Sequence, residues 1–133
     1  MNKIIILLAG GAIGAFLLYL IARSIPKTSF PWSVLIVNSL GCYFIGLLWH
    51  ASEIRRFSSD VKIFMFIGLF GAFTTFSTYA LETVDLLRVG QPFLALLNCT
   101  LNNFVGVLMA LTGFTTTKTI VFVARIVGKL FTH

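Results

Sequence analysis

Gly68-Leu69-Phe70-Gly71-Ala72-Phe73-Thr74-Thr75-Phe76-Ser77-Thr78-Tyr79 is the run on which the reading of this chain turns. It lies inside 63–81, a stretch with no Asp, Glu, Lys or Arg. About 20 mostly apolar residues make a helix long enough to cross a hydrocarbon core. Yet two glycines, the β-branched pair Thr74-Thr75 and then Ser77-Thr78 make this the weakest helix former of any such stretch in the chain. Two conformations suit it. In one, the helix is unbroken and the hydroxyls bond back to their own carbonyls. In the other, Thr75 caps a new half-helix in mid-membrane and Gly71 supplies the flexibility. Irregular backbone at that depth survives only when buried in protein or lining a watery cavity. Its free carbonyls and N–H groups are how discontinuous helices hold ions.

Outward from this run, three more stretches lack charge: 4–22, 28–52 and 89–117. The whole chain of 133 residues is 58% hydrophobic and 11% charged, against about 25% charged in a soluble domain. The fold class read from this is an all-α membrane protein with four transmembrane helices, at 4–21, 32–49, 63–84 and 92–114, in one domain. Trp32 and Trp49 sit at the two ends of the second span, where interfacial tryptophans belong. The first apolar run exceeds the roughly 7–15 residues of a signal-peptide core and holds Gly10, Gly11 and Gly14, so it reads as a retained span. The tail 115–133 reads as an amphipathic helix lying on the membrane surface.

The net charge of +6 flanks the spans, where Lys and Arg meet lipid headgroups, and does not mark a nucleic-acid binder. With four spans both termini share a side. Lys3, Arg55, Arg56, Lys62, Lys118, Arg125 and Lys129 face it, against Arg23, Lys27 and Arg88 opposite. Seven against three favours that side as cytoplasmic; without the tail the bias falls to four against three. Cys42 and Cys99 lie inside spans as small apolar residues, with no disulfide or zinc spacing.

No nucleophile–base pair or metal cluster stands out, and the chain does not read as an enzyme. The acidic residues Glu53, Asp60, Glu82 and Asp85 sit in a loop or near span ends, His50 is at a span end and His133 is last. Polar function within the membrane therefore falls to uncharged groups. Asn38 offers two donors and an acceptor; taken alone, interhelical bonding is its commoner role. Phe76 and Tyr79, three apart, share a helix face. Ring edges are weakly positive and can line an anion path, although aromatic packing is the more frequent arrangement. Span four carries Asn98, Thr100, Asn102 and Asn103, with Asn98 and Asn102 on one stripe. Lining or assembly accounts for them better than packing alone.

Gly10-Gly11-Ala12-Ile13-Gly14-Ala15, Val37-Asn38-Ser39-Leu40-Gly41 and Gly71-Ala72-Phe73-Thr74-Thr75-Phe76-Ser77-Thr78-Tyr79-Ala80-Leu81-Glu82 together resemble the Fluc (CrcB-like) fluoride channels. The match extends over the chain apart from the tail, and its threonine-rich core is the specific part. The resemblance implies passive export of fluoride across a cell membrane, conferring fluoride resistance. It also implies an antiparallel, dual-topology dimer with two pores, a break in the third helix and a structural sodium ion at the dimer centre. By position, Gly71 and Thr74 supply that sodium's backbone carbonyls. Phe76 is the first pore phenylalanine and Tyr79 takes the place of the second. Asn38 matches the pore asparagine, Ser77 and Thr78 the following hydroxyls, and Asn98 and Asn102 the polar face of span four. A fluoride pore must replace tightly held water with donors that bind strongly enough to admit the ion and weakly enough to release it.

The chain departs from the family pattern at three places. Leu18 stands where the family has arginine, with Arg23 five positions later; Val34 replaces a threonine; and Tyr79 replaces a phenylalanine. A paired subunit of a heterodimer and an ordinary homodimer both accommodate these changes. Two rival functions fit the four-span layout less well. A small multidrug transporter needs a carboxylate deep in the membrane, and no span holds one at depth. A non-conducting assembly subunit would use the same asparagines and glycines only for packing.

Overall fold

The structure, a computed structural model, describes residues 2–130, with side chains as far as Val127. The Lys129 side chain and His133, both counted above, lie outside that description. The described chain is helical: α1 (Lys3–Ser24), α2 (Trp32–Ile54), α3 (Ser59–Lys62), a π-helical stretch (Ile63–Leu69), α4 (Phe70–Phe73), α5 (Phe76–Arg88) and α6 (Pro92–Leu130). Four segments are long and apolar enough to cross a membrane: Lys3–Ser24, Trp32–Ile54, Ser59–Arg88 and Pro92–Val127. Asn2 caps α1 through its side chain, which accepts from the Ile4 N–H at 3.1 Å. Gly90, at φ 74°, makes the tight turn into α6, a conformation that costs glycine nothing.

α3, the π-helical stretch and α4 follow one another without a gap, and in the π-helical part the Phe70 N–H reaches the Met65 carbonyl, five residues back. The next two residues differ. Thr74 (φ −90°, ψ 144°) and Thr75 (φ −137°, ψ 108°) are extended, and α5 starts at Phe76.

Two seams of small residues set the packing. α1 runs beside the π-helical stretch and α4 so closely that a Cβ on Gly10 would meet the Phe64 carbonyl oxygen, and one on Gly14 the Leu69 oxygen. α2 runs parallel to α6: a Cβ on Gly46 would meet the Ala110 carbonyl oxygen, and one on Gly113 the Tyr43 oxygen. In lipid, apolar side chains gain little by leaving their solvent, so close backbone approach and dispersion contacts must hold helices together. Between the seams, Val37, Phe70 and Phe73 form a buried apolar cluster, with Leu18 packed against it.

α6 differs from the sequence reading. The helix does not end at 114: one helix of 39 residues, Pro92–Leu130, runs on from the span into the tail without a break. No glycine or proline interrupts 114–127. The threonines there keep their hydroxyls on the helix's own carbonyls, as Thr116 does on Thr112 at 2.7 Å. Thr117 instead donates to the Leu47 carbonyl of α2 at 2.7 Å, tying the extension to its neighbour.

Candidate functional site

The extended pair Thr74-Thr75 leaves backbone groups without helical partners, and side chains take some of them. Asn38, on α2, accepts from the Thr75 N–H at 2.9 Å and directs its amide toward the Thr75 carbonyl at 3.4 Å. The same amide donates to Asn102 Oδ1 at 3.2 Å. The Thr75 hydroxyl caps α5, accepting from the Thr78 N–H at 3.2 Å. It also lies 2.8 Å from the Thr78 hydroxyl and 3.4 Å from that of Ser77. Thr74 turns its own hydroxyl back to the Phe70 carbonyl at 2.9 Å.

These bonds redirect donors. In a continuous helix the Thr75 N–H would serve the Gly71 carbonyl and the Thr78 N–H the Thr74 carbonyl. Here the first goes to Asn38 and the second to the Thr75 hydroxyl. Among the described residues no backbone N–H crosses to the carbonyls of Gly71 or Thr74. Two oxygens capable of holding a hard cation are thereby left available.

From Asn38 the polar chain continues into α6. Asn102 donates to Asn98 Oδ1 at 2.8 Å, and Asn98 donates to the Thr83 hydroxyl of α5 at 2.9 Å. Asn98 is completely buried, so its amide is enclosed within the subunit. Burial without partners would cost each amide about 1–3 kcal/mol. The ladder Thr75–Asn38–Asn102–Asn98–Thr83 meets that demand and binds α2, α5 and α6 together. Thr83 had no signal in the sequence beyond being one hydroxyl among many; its spacing of four from Tyr79 would have placed it one turn along the same face.

Phe76 and Tyr79 are brought together on α5 with ring centroids 5.3 Å apart at 63°, an edge contact. Phe76 is 78% exposed, turned away from the bonded ladder. Asn103 lies 3.4 Å from the Tyr79 hydroxyl. The site therefore has two sides: an inner one of satisfied amides and an outer one of aromatic rings followed by Ser77 and Thr78 hydroxyls. At the departures from the family pattern, Leu18 joins the apolar cluster and Val34 is buried, so neither position carries a polar group. Arg23 bonds to the Tyr19 hydroxyl at 3.2 Å on the surface of α1. Glu82, one turn beyond Thr78, has one buried carboxylate oxygen without a hydrogen-bond partner among the described residues. It lines a cavity of about 430 Å³ with Lys27, Asp85 and the segment leading into α2.

Residues 5–114 match the family described as CrcB-like protein, Camphor Resistance (CrcB). A Parabacteroides distasonis protein named fluoride-specific ion channel FluC is 39% identical over 124 residues, 91% of this chain and 97% of its own. A protein of the same name from Salinibacter ruber is 38% identical, covering 85% of this chain and 87% of its own. One from Nitrosococcus oceani is 34% identical, covering 84% and 90%.

Proposed function

The chain belongs to the CrcB-like family, and from that membership we infer that it is a fluoride-selective ion channel for passive export of cytoplasmic fluoride. The observation that carries the mechanism is the sequence of groups at Thr74–Tyr79: extended backbone held by Asn38, then the exposed Phe76 ring in edge contact with the half-buried Tyr79. We read the extended pair as a break in the third span. Phe76 and Tyr79 are the aromatic rungs, presenting ring edges to the anion, with Ser77 and Thr78 as hydroxyl donors. Asn38 and Asn102, the inner donors, orient that wall, because their amides are already bonded within the subunit. Asn98, enclosed with them, braces α5 against α6.

The pore is completed by a second subunit. A ring as exposed as Phe76 lines a path only when another chain faces it, which supports an antiparallel dimer in the cell membrane. A structural sodium ion fits the break. Gly71 and Thr74 would hold it through the two carbonyls whose helical donors have been diverted. Its charge would neutralise those oxygens at the dimer centre. The partner is a second copy or a homologous subunit. The apolar Leu18 and Val34 favour a homologue that supplies the missing polar groups, and the rings of Phe76 and Tyr79 serve either partner.

The second reading, a non-conducting assembly subunit, is favoured by the internal bonding of Asn38, Asn98 and Asn102. Growth decides between them. Expression in a fluoride-sensitive bacterium rescues growth on fluoride if the chain conducts, and Phe76→Ile abolishes the rescue at equal protein level. Equal growth with and without the chain, both alone and co-expressed with a homologous subunit, supports the assembly reading, as does equal growth with and without the ring.

A further inference from the structure

We propose that α6 and the end of α2 form a binding groove for the headgroup of an anionic phospholipid. Lys118, Val121, Phe122 and Arg125 fall at i, i+3, i+4 and i+7, one stripe of α6. With Thr119 they face His50 and Ile54 of α2 across a groove of about 470 Å³. The groove is basic at both ends and apolar between them. Its chemistry suits a phosphate diester with the start of its acyl chains, and basic pockets between membrane helices bind such headgroups.

The depth is fixed by contacts. Thr117 bonds to Leu47, two residues before the interfacial Trp49, so Lys118 begins where the hydrocarbon ends. Arg125, seven residues on, stands about 10 Å further out, within the headgroup layer. Ile120, Phe122, Val123, Ile126 and Val127 are all exposed along this extension, an apolar surface that bulk water alone would serve badly. Among the described residues neither Lys118 nor Arg125 pairs with a carboxylate; His50 meets Glu53 at 3.3 Å, beside the groove. Lys118 and Arg125 therefore hold charge available to a ligand. The groove's α6 wall begins beyond residues 5–114, the part that the family model matches. It is separate from the aromatic site at Phe76 and Tyr79.

Native mass spectrometry of the full chain released from detergent, with phosphatidylglycerol or phosphatidylcholine added, tests this. Wild type retains phosphatidylglycerol in preference to phosphatidylcholine. K118Q/R125Q lowers phosphatidylglycerol retention by roughly thirtyfold, from the loss of two surface-level cations. K3Q/K62Q, which removes two charges from the same side outside the groove, and the charge-conserving K118R/R125K both leave it unchanged. If the double variant elutes abnormally, K118Q and R125Q singly carry the comparison, each with a smaller loss. Equal retention of the two lipids overturns the proposal, as does an equal loss in K3Q/K62Q, which would report bulk charge. Displacement of the lipid by millimolar inorganic phosphate also overturns it, by assigning the groove to a soluble anion.

Discussion

Asn38 brackets Thr75: its side-chain oxygen takes the Thr75 N–H at 2.9 Å while its amide faces the Thr75 carbonyl at 3.4 Å, across 37 residues of sequence. One planar amide thus stands in for both helical partners that the extended backbone gives up. Asn38→Ala leaves both groups unpaired at membrane depth, a cost of about 1–3 kcal/mol. The variant is expected to unfold at lower temperature in detergent, followed by tryptophan fluorescence, and to lose fluoride flux. An unchanged melting temperature would show that water or lipid can replace the amide.

The rings of Phe76 and Tyr79 meet at 63° with centroids 5.3 Å apart. Phe76→Ile keeps an apolar side chain and removes the ring edge. Fluoride efflux should fall about tenfold or more, the equivalent of roughly 1.4 kcal/mol on the barrier, while elution on size exclusion stays unchanged. Tyr79→Phe removes only the hydroxyl and should keep most of the flux. Flux indifferent to Phe76→Ile removes the ring from the pore.

Gly46 and Gly113 hold α2 against α6 at a distance that leaves no room for a Cβ. Gly113→Ala and Gly46→Ala should each destabilise by about 1–3 kcal/mol through forced separation of the seam. Gly11→Ala, where nothing lies within 4 Å, should be neutral. Comparing the melting temperatures of the three variants checks the seam, and equal behaviour of all three would contradict it.

A sodium ion on the proposed ligands, the carbonyls of Gly71 and Thr74, would stabilise the assembled state by linkage, since an ion bound only to the folded dimer raises its melting temperature. Protein prepared with N-methylglucamine in place of sodium should melt at lower temperature and dissociate more readily, with recovery when sodium is returned. Identical melting and dissociation in the two cations would exclude a structural role for the ion.

The four spans were legible because a membrane imposes one demand on every residue facing it: the charges had to fall outside 4–22, 28–52, 63–81 and 89–117, and they did. Asn38 and the asparagines of span four stood out as polar groups in apolar runs. Their partners did not, because a bond from Asn38 to Thr75 or from Asn98 to Thr83 depends on how helices meet in space. The π-helical turns at 63–69 have no local residue signature. The end of α6 was misplaced for a different reason. Charge begins at Lys118, which marks where the membrane stops, but a helix stops only at a breaker or a cap, and that segment has neither.

Fluoride efflux from liposomes containing the purified chain, read with a fluoride electrode against a chloride control, tests the central claim most directly. Fast efflux of fluoride with chloride retained is the predicted result, from the chain alone or together with a homologous subunit. A folded protein that releases no fluoride under either condition, or releases chloride as readily, would contradict the account.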